Sequence, residues 1–420
     1  MPVTPSASAG RADTLPVTLE DVLAARTGLD EVMRATPLKY SRGLSERVGA
    51  EVLLKCENLQ RAGSFKFRGA YTRISRLSDE EKSRGVVTAS AGNHAQGVAL
   101  AAQMLGIRAK VYMPVGAPMP KVNATRGYGA EIEQVGQTLD EAMPHAQEYA
   151  REAGAIYIHP FDHPDIVAGQ GTCGLEILEQ CPDVKTVVVG VGGGGLIAGI
   201  SVVMKALKPD VRIVGVQAEG AAAYPVSLKA GHPVPCTDMR TMADGIAVGL
   251  PGKVPFEIVQ RYVDRVDTVT EEGISRALLF LLERSKLVVE PAGGVTAARL
   301  LQAPEAGWEG PVVAVLSGGN IDPLLMLRII RHGMAAAGRY LHLSVRVPDK
   351  PGNLAKLLSD CADLDANVLE VEHVRTNPAL RVDEVEIALQ LETKSREHCD
   401  AVLRTLRDNG YRLVTSDVLP

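Results

Sequence analysis

The sequence predicts an α/β protein, with a mostly parallel sheet region over 19–330 and a smaller βαββαβ module over 340–420. Three observations carry this expectation. Short apolar, β-rich runs alternate with stretches of helical periodicity up to about Ile330, the pattern of βαβ units. Only 10 Tyr, 5 Phe and 1 Trp occur in 420 residues, so the core is built from Ala, Val, Leu and Ile, as suits parallel sheets covered by helices. Beyond Arg339 the pattern changes to strict alternation, the mark of half-buried strands.

The elements follow in order. Residues 1–18 form a polar tail with neither an apolar h-region nor an Arg-rich amphipathic pattern, so an untargeted chain is expected. GVVTAS at 85–90 reads as a strand and AQGVALAAQMLG as the helix after it; AKVYMPV at 109–115 and KVNATRGYG repeat the unit. TVVVGVG at 186–192, VRIVGVQAE at 211–219 and PVVAVLSGG at 311–319 are further strands. In open sheets of this kind ligands sit at the carboxyl ends of the strands, which is where the glycine-rich turns fall. RHGMAAAGR at 331–339 reads as the end of a linker helix.

The C-terminal module starts with Leu341, Leu343, Val345 and Val347 alternating with polar residues, and that strand ends at PDKPG. Leu354, Leu357, Leu358, Cys361 and Leu364 then recur at helical spacing. NVLEVEHV and VEIALQLE are two more strands, a helix carries Val402, Leu403 and Leu406, and YRLVTS closes the series. The order βαββαβ is the ferredoxin-like arrangement.

Composition narrows the function classes. With 45 Lys and Arg against 50 Asp and Glu the net charge is −5, and no basic excess favours nucleic acid. A hydrophobic share of 46% and a charged share of 23% describe a folded globular chain. Cys56, Cys173, Cys181, Cys236, Cys361 and Cys399 include no C-x-x-C pair, so neither a zinc knuckle nor a dithiol redox site is spelled out. Reduced thiols in a cytoplasmic protein are expected, without a membrane span.

Four segments carry chemistry. In SFKFRGA at 64–70, Lys66 stands between Phe65 and Phe67, and desolvation by such neighbours lowers a lysine pKa and favours Schiff-base chemistry. The same spacing also suits a surface lysine whose stem covers the rings. In TASAGNHAQG at 88–97, Ser90, Ala91, Gly92, Asn93 and His94 form a strand-to-helix turn whose free N–H groups suit a carboxylate, or merely cap the helix. His94 has no paired carboxylate in sequence and reads as a hydrogen-bonding residue. In VVVGVGGGGLIAGI at 187–200, Gly192, Gly193, Gly194 and Gly195 let backbone amides approach a phosphate. Gly190, Gly192 and Gly195 also spell G-x-G-x-x-G, with Glu219 where a ribose-binding acid would lie, so a dinucleotide site is a rival. In VLSGGN at 315–320, Ser317 is placed either to meet a ring nitrogen or to cap a helix.

Together SFKFRGA, SAGNHAQG, GGGGL and SGGN closely resemble the threonine dehydratases (threonine ammonia-lyases), fold type II pyridoxal-phosphate enzymes. The resemblance runs from about Leu19 to Ile330 and includes AGQGTCGLEI, TMADGIAVG and VVEPAGGVTAA. It implies a two-lobed catalytic unit, with a small lobe at about 55–154 inserted in the large one. It further implies that Lys66 carries the cofactor covalently and acts as the catalytic base, and that Phe65 lies near the cofactor ring. Gly192 to Gly195 and Leu196 would hold its phosphate, Asn93 its ring hydroxyl and Ser317 its pyridine nitrogen. Ser90, Ala91, Gly92, Asn93 and His94 would surround the substrate carboxylate. Related serine racemases place a second serine where Ala91 stands, so racemisation is not expected. Those relatives also hold a divalent ion with a glutamate and an aspartate; Glu219 matches the first, but Pro225 replaces the second, so no metal is expected.

The segment 340–420 resembles an ACT domain, the amino-acid-sensing ferredoxin-like module. Asp349, Pro351, Gly352, Asn353 and Leu354 are then candidates for an effector site. The resemblance thus implies conversion of L-threonine to 2-oxobutanoate and ammonia, with L-serine as a second substrate, in a homo-oligomer, dimer or tetramer. An amino-acid sensor that keeps the fold without catalysis is the alternative of a different class.

Overall fold

The computed structural model describes residues 15–336, 338–375 and 380–417. Most of the N-terminal tail, Ala337 of the linker, and 376–379 and 418–420 of the C-terminal module lie outside the described residues. The chain divides into two compact units whose boundary falls between Asp322 and Pro323. The helix Pro323–Ala336 therefore groups with the C-terminal unit.

The first unit carries β1 (Leu38–Tyr40), β2 (Val52–Lys55), β3 (Val86–Ala89), β4 (Ala109–Met113), β5 (Glu131–Gln134), β6 (Ile156–Tyr157), β7 (Thr186–Gly190), β8 (Arg212–Ala218), β9 (Arg265–Val269) and β10 (Val312–Val315). They make two sheets. The larger has the order β1-β2-β10-β7-β8-β9 and the smaller β5-β4-β3-β6. The smaller sheet is parallel throughout. The larger is mixed, because β1 pairs antiparallel with β2 and closes one edge of an otherwise parallel sheet. The helix Arg42–Val48 joins the two strands, and β1 runs antiparallel along the edge of β2. Every residue of β3, β7 and β10 is buried, as the apolar runs in the sequence require when helices cover both faces.

Helix packing places the segment with Lys66. The helix Lys66–Ser75 lies against Pro164–Gln180, and a Cβ at Gly169 would lie 2.6 Å from the Arg68 carbonyl oxygen, so the two backbones touch. Arg68, fully buried, donates to Glu57 at 2.7 and 2.8 Å and to Glu176 at 2.8 Å, while the equally buried Lys55 donates to Glu176 at 2.5 Å. Burial by itself opposes these charges. The neighbouring carboxylates nevertheless hold the Arg68 pKa well above its ordinary value, and Arg68 and Lys55 hold the Glu176 carboxyl below its own. The network ties the helix bearing Lys66 to the turn after β2 and to the helix Pro164–Gln180.

The second unit holds β11 (Tyr340–Pro348), β12 (Asn367–Val374), β13 (Glu384–Glu392) and β14 (Arg412–Asp417), all antiparallel, in the order β12-β13-β11-β14. The helices Asn353–Asp363 and Arg396–Asp408 complete a βαββαβ series. Leu341, Leu343, Val345, Ile387, Leu389 and Leu391 face Leu357, Cys361, Val402 and Leu406 in its core.

Arg68→Met would leave Glu57 and part of Glu176 without a cation, and breaking a buried pair costs about 3–5 kcal/mol. Urea unfolding of the variant should show that loss. A loss below about 1 kcal/mol would contradict a stabilising role for the network.

Candidate active site

The carboxyl ends of β3, β7 and β10 and the N-terminus of the helix Lys66–Ser75 converge on one cavity of about 400 Å³. Phe65, Lys66, Ser90, Ala91, Gly92, Asn93, His94, Gly192, Gly193, Gly194, Gly195, Leu196 and Ser317 all line it. The structure thus brings together every catalytic, cofactor and substrate residue expected from the sequence. Glu219 opens a single 3-10 turn after β8 and does not line the cavity.

Lys66 Nζ donates to the Pro160 carbonyl at 2.9 Å and sits 5.2 Å from the centre of the Phe65 ring. Burial lowers its pKa to about 8, and the charge of Glu290 offsets part of that effect. Only one of the flanking rings contributes at the amine, since Phe67 is fully buried in the core cluster with Ile74, Val98 and Ile158.

The glycine turn follows from its backbone. Gly194 has φ +97°, and a side chain there would collide with the Tyr224 hydroxyl, which donates to the Gly193 carbonyl at 3.1 Å. At Gly193 the space for a Cβ is taken by the Phe161 ring. The helix Gly195–Leu207 begins here without a side-chain cap, so its first N–H groups have no partner within the helix and point toward the cavity end. The Ser90–His94 turn is built alike, with the helix Asn93–Met104 starting uncapped and the Ser90 hydroxyl accepting from the Gly92 N–H at 3.2 Å.

His94 Nε2 lies 2.9 Å from the Ile158 carbonyl oxygen. A carbonyl only accepts, so Nε2 carries the hydrogen. Burial, reinforced by the charge of Lys66, pushes the His94 pKa down to about 3, and the ring is a neutral structural donor. Asn93 is held at both ends: its Oδ1 accepts from Asn320 at 2.8 Å and its Nδ2 donates to Glu290 at 2.5 Å. Among the described residues the Ser317 hydroxyl reaches only the Ala292 carbonyl, at 3.4 Å.

Sequence reasoning missed several cavity residues. Glu290 stands within VVEPAGG but gives no local signal, because its partner Asn93 is far away in the chain. Gln170 is buried with neither amide atom paired among the described residues, and it lines the cavity. Lys121 and Asp244 meet at 2.6 Å across the lining. Among the described residues no cluster of ligating side chains could hold a metal ion, and no helix is long and apolar enough to cross a membrane.

Burial, with the charge of Asp244, pushes the Glu290 pKa up to about 7 against the Asn93 donor and the two lysines. The group is protonated in the fold but ionised in the unfolded chain between its ordinary 4.5 and 7, so it withdraws stability as pH rises through that window. Glu290→Gln should leave the cofactor-free protein close to wild type near pH 4 and more stable by about 3 kcal/mol at pH 8. Urea midpoints at the two pH values check this, and a pH-independent difference would contradict it.

Comparison with known proteins gives the family. The pyridoxal-phosphate dependent enzyme family matches residues 29–318. An L-threonine ammonia-lyase of Thermotoga maritima is 47% identical over 397 residues, covering 94% of this chain and 99% of its own. Among solved structures, maize serine racemase superposes with a TM-score of 0.72 at 33% identity, covering 75% of this chain and 97% of that one. The processed form of threonine deaminase isoform 2 from Solanum lycopersicum gives 0.70 at 37% identity, covering 78% and 93%. The match displaces the dinucleotide reading of the glycine turn: the chain belongs to the pyridoxal-phosphate dependent enzymes, with the α/β catalytic unit of fold type II.

Proposed function

We propose that the protein is a threonine ammonia-lyase, converting L-threonine to 2-oxobutanoate and ammonia and L-serine to pyruvate and ammonia. The observation that carries this reading is the convergence of a desolvated lysine, an uncapped glycine turn and a second uncapped helix start on one cavity. The similarity to L-threonine ammonia-lyase over nearly the whole chain supports the substrate.

The residues fit pyridoxal phosphate. The amides of Gly192 to Leu196 offer an anion site without a side chain in the way, Lys66 offers an amine, and the unpaired Gln170 amide leaves a polar wall that a ligand or water satisfies. Lys66 and Phe65 would anchor the group, Gly192 to Leu196 its phosphate, Asn93 its ring hydroxyl and Ser317 its ring nitrogen. When bound, it supplies an electron-accepting ring conjugated to the substrate nitrogen.

The chain's own part is positioning and proton transfer. The turn Ser90–His94 would hold the substrate carboxylate on backbone N–H groups. With a pKa near 8, a fraction of the Lys66 amine is unprotonated in neutral solution and can take the Cα proton, and the resulting ammonium can return one. Neutral His94, fixed on the Ile158 carbonyl, would stiffen that turn rather than carry protons. Asn93 cannot rotate, because Asn320 and Glu290 hold its amide by opposite ends. Ser317 brings no charge to the ring nitrogen, which suits elimination, where the departing β-hydroxyl takes up the electrons. Ala91 supplies no base on the opposite face, and racemisation is therefore not part of the reading.

The C-terminal unit we read as ACT-like and amino-acid-sensing. Its βαββαβ order supports this, as does the turn where Gly352, at φ +91°, starts the helix Asn353–Asp363. Arg375 pairs with Asp349 at 3.1 Å there, and Asn353 Nδ2 donates to the Pro348 carbonyl at 2.9 Å. Leu354 packs against the core of the unit.

Purified protein loaded with pyridoxal phosphate should release 2-oxobutanoate and ammonia from L-threonine, and pyruvate from L-serine. Lys66→Ala should lose turnover and the absorbance band of the lysine-bound cofactor together. Each of the twenty common amino acids added as effector should reveal one that shifts threonine turnover in wild type and not in Asp349→Ala. Cofactor binding without turnover would instead support the sensor alternative.

A further inference from the structure

The charged residues lining the cavity are Lys66, Lys121, Asp244 and Glu290, and no arginine is among them. Lys121 comes from the helix Met119–Gly127, which packs on the smaller sheet, and Asp244 from the turn Asp244–Ile246, between β8 and β9 of the larger. Lys121 Nζ donates to Asp244 Oδ2 at 2.6 Å, with the lysine side chain 12% exposed and the carboxylate 59%. The pair therefore lies where the cavity meets solvent, and its charges cancel.

We propose that the Lys121–Asp244 pair sets the class of side chain the site accepts, admitting amino acids with uncharged side chains and turning acidic ones away. This rests on the reading of the cavity as an amino-acid site. With the α-carboxylate on the Ser90–His94 turn, the proposal puts the side chain toward the part of the same cavity lining that Lys121, Asp244 and Glu290 form. A side-chain carboxylate there finds one cation besides Lys66, and that cation is already bonded to Asp244. It must displace Asp244 from Lys121, or stand beside the Asp244 carboxylate with that lysine already engaged. The threonine hydroxyl carries no charge and meets neither obstacle. Lys121 is thus held in reserve by Asp244, and removing Asp244 should release it as a carboxylate anchor. These are specificity-determining residues, with no part in the proton transfers assigned to Lys66.

The test compares L-aspartate with the nearly isosteric L-asparagine. Their affinities for the cofactor-loaded protein are read from the change in the cofactor absorbance band and from the thermal shift each ligand produces. In wild type asparagine should bind tighter by about 10-fold. Asp244→Asn should shift the ratio toward aspartate by about 10-fold or more, and Lys121→Met should move it the other way. The double exchange Lys121→Asp with Asp244→Lys should restore the wild-type ratio. General damage to the fold would weaken both ligands alike and leave the ratio unmoved. An unchanged ratio in Asp244→Asn, with threonine still producing its spectral response, overturns the role of the pair. Absence of any response to threonine in wild type overturns the amino-acid-site reading and this inference with it.

Discussion

The removal of one lysine amine from water is the constraint on which the rest of this structure depends. An amine on an exposed helix start would stay protonated and unreactive; here burial brings the Lys66 pKa to about 8. That burial requires two sheets, because the lysine lies at the start of a helix while the walls opposite it come from the carboxyl ends of strands in both. It also requires the helix not to move. The backbone contact at Gly169 and the fully buried Arg68, Glu57, Glu176 and Lys55 network fix it two residues from the amine.

The charges around the cavity are arranged so that few remain free. Asn93 is clamped, His94 is neutral, and Lys121 is matched by Asp244. On the reading proposed here, anions would be held by bare backbone at the two uncapped helix starts, where the peptide dipoles act without a side-chain counter-ion. Such sites depend on glycine, which explains why Gly193 and Gly194 have their Cβ space filled by Phe161 and Tyr224.

Much of this was legible in sequence because it is local. The strand runs TVVVGVG and PVVAVLSGG became fully buried strands, and the alternation of Leu341 to Val347 became β11. Lys66 announced itself by its flanking phenylalanines, and the Ser90–His94 turn and the four glycines by residue type next to a strand end. What was not legible depends on long-range contacts. Glu290 is 197 residues from the Asn93 it holds, Lys121 is 123 from Asp244, and Arg68 is 108 from Glu176. The antiparallel edge strand β1 was missed because three residues carry too little pattern. The helix Pro323–Ala336 continues unbroken past the expected end of the catalytic unit, and its periodicity gives no hint of which unit it joins.

The most direct measurement is the titration of the Lys66 amine itself. Competitive acetylation of cofactor-free protein across pH, read by mass spectrometry at Lys66 against exposed lysines, reports its proton affinity without any substrate. A midpoint near 8 is expected. A midpoint near the ordinary lysine value of 10.5 would contradict it, because the amine would then remain in water and the architecture around it would not prepare it for chemistry.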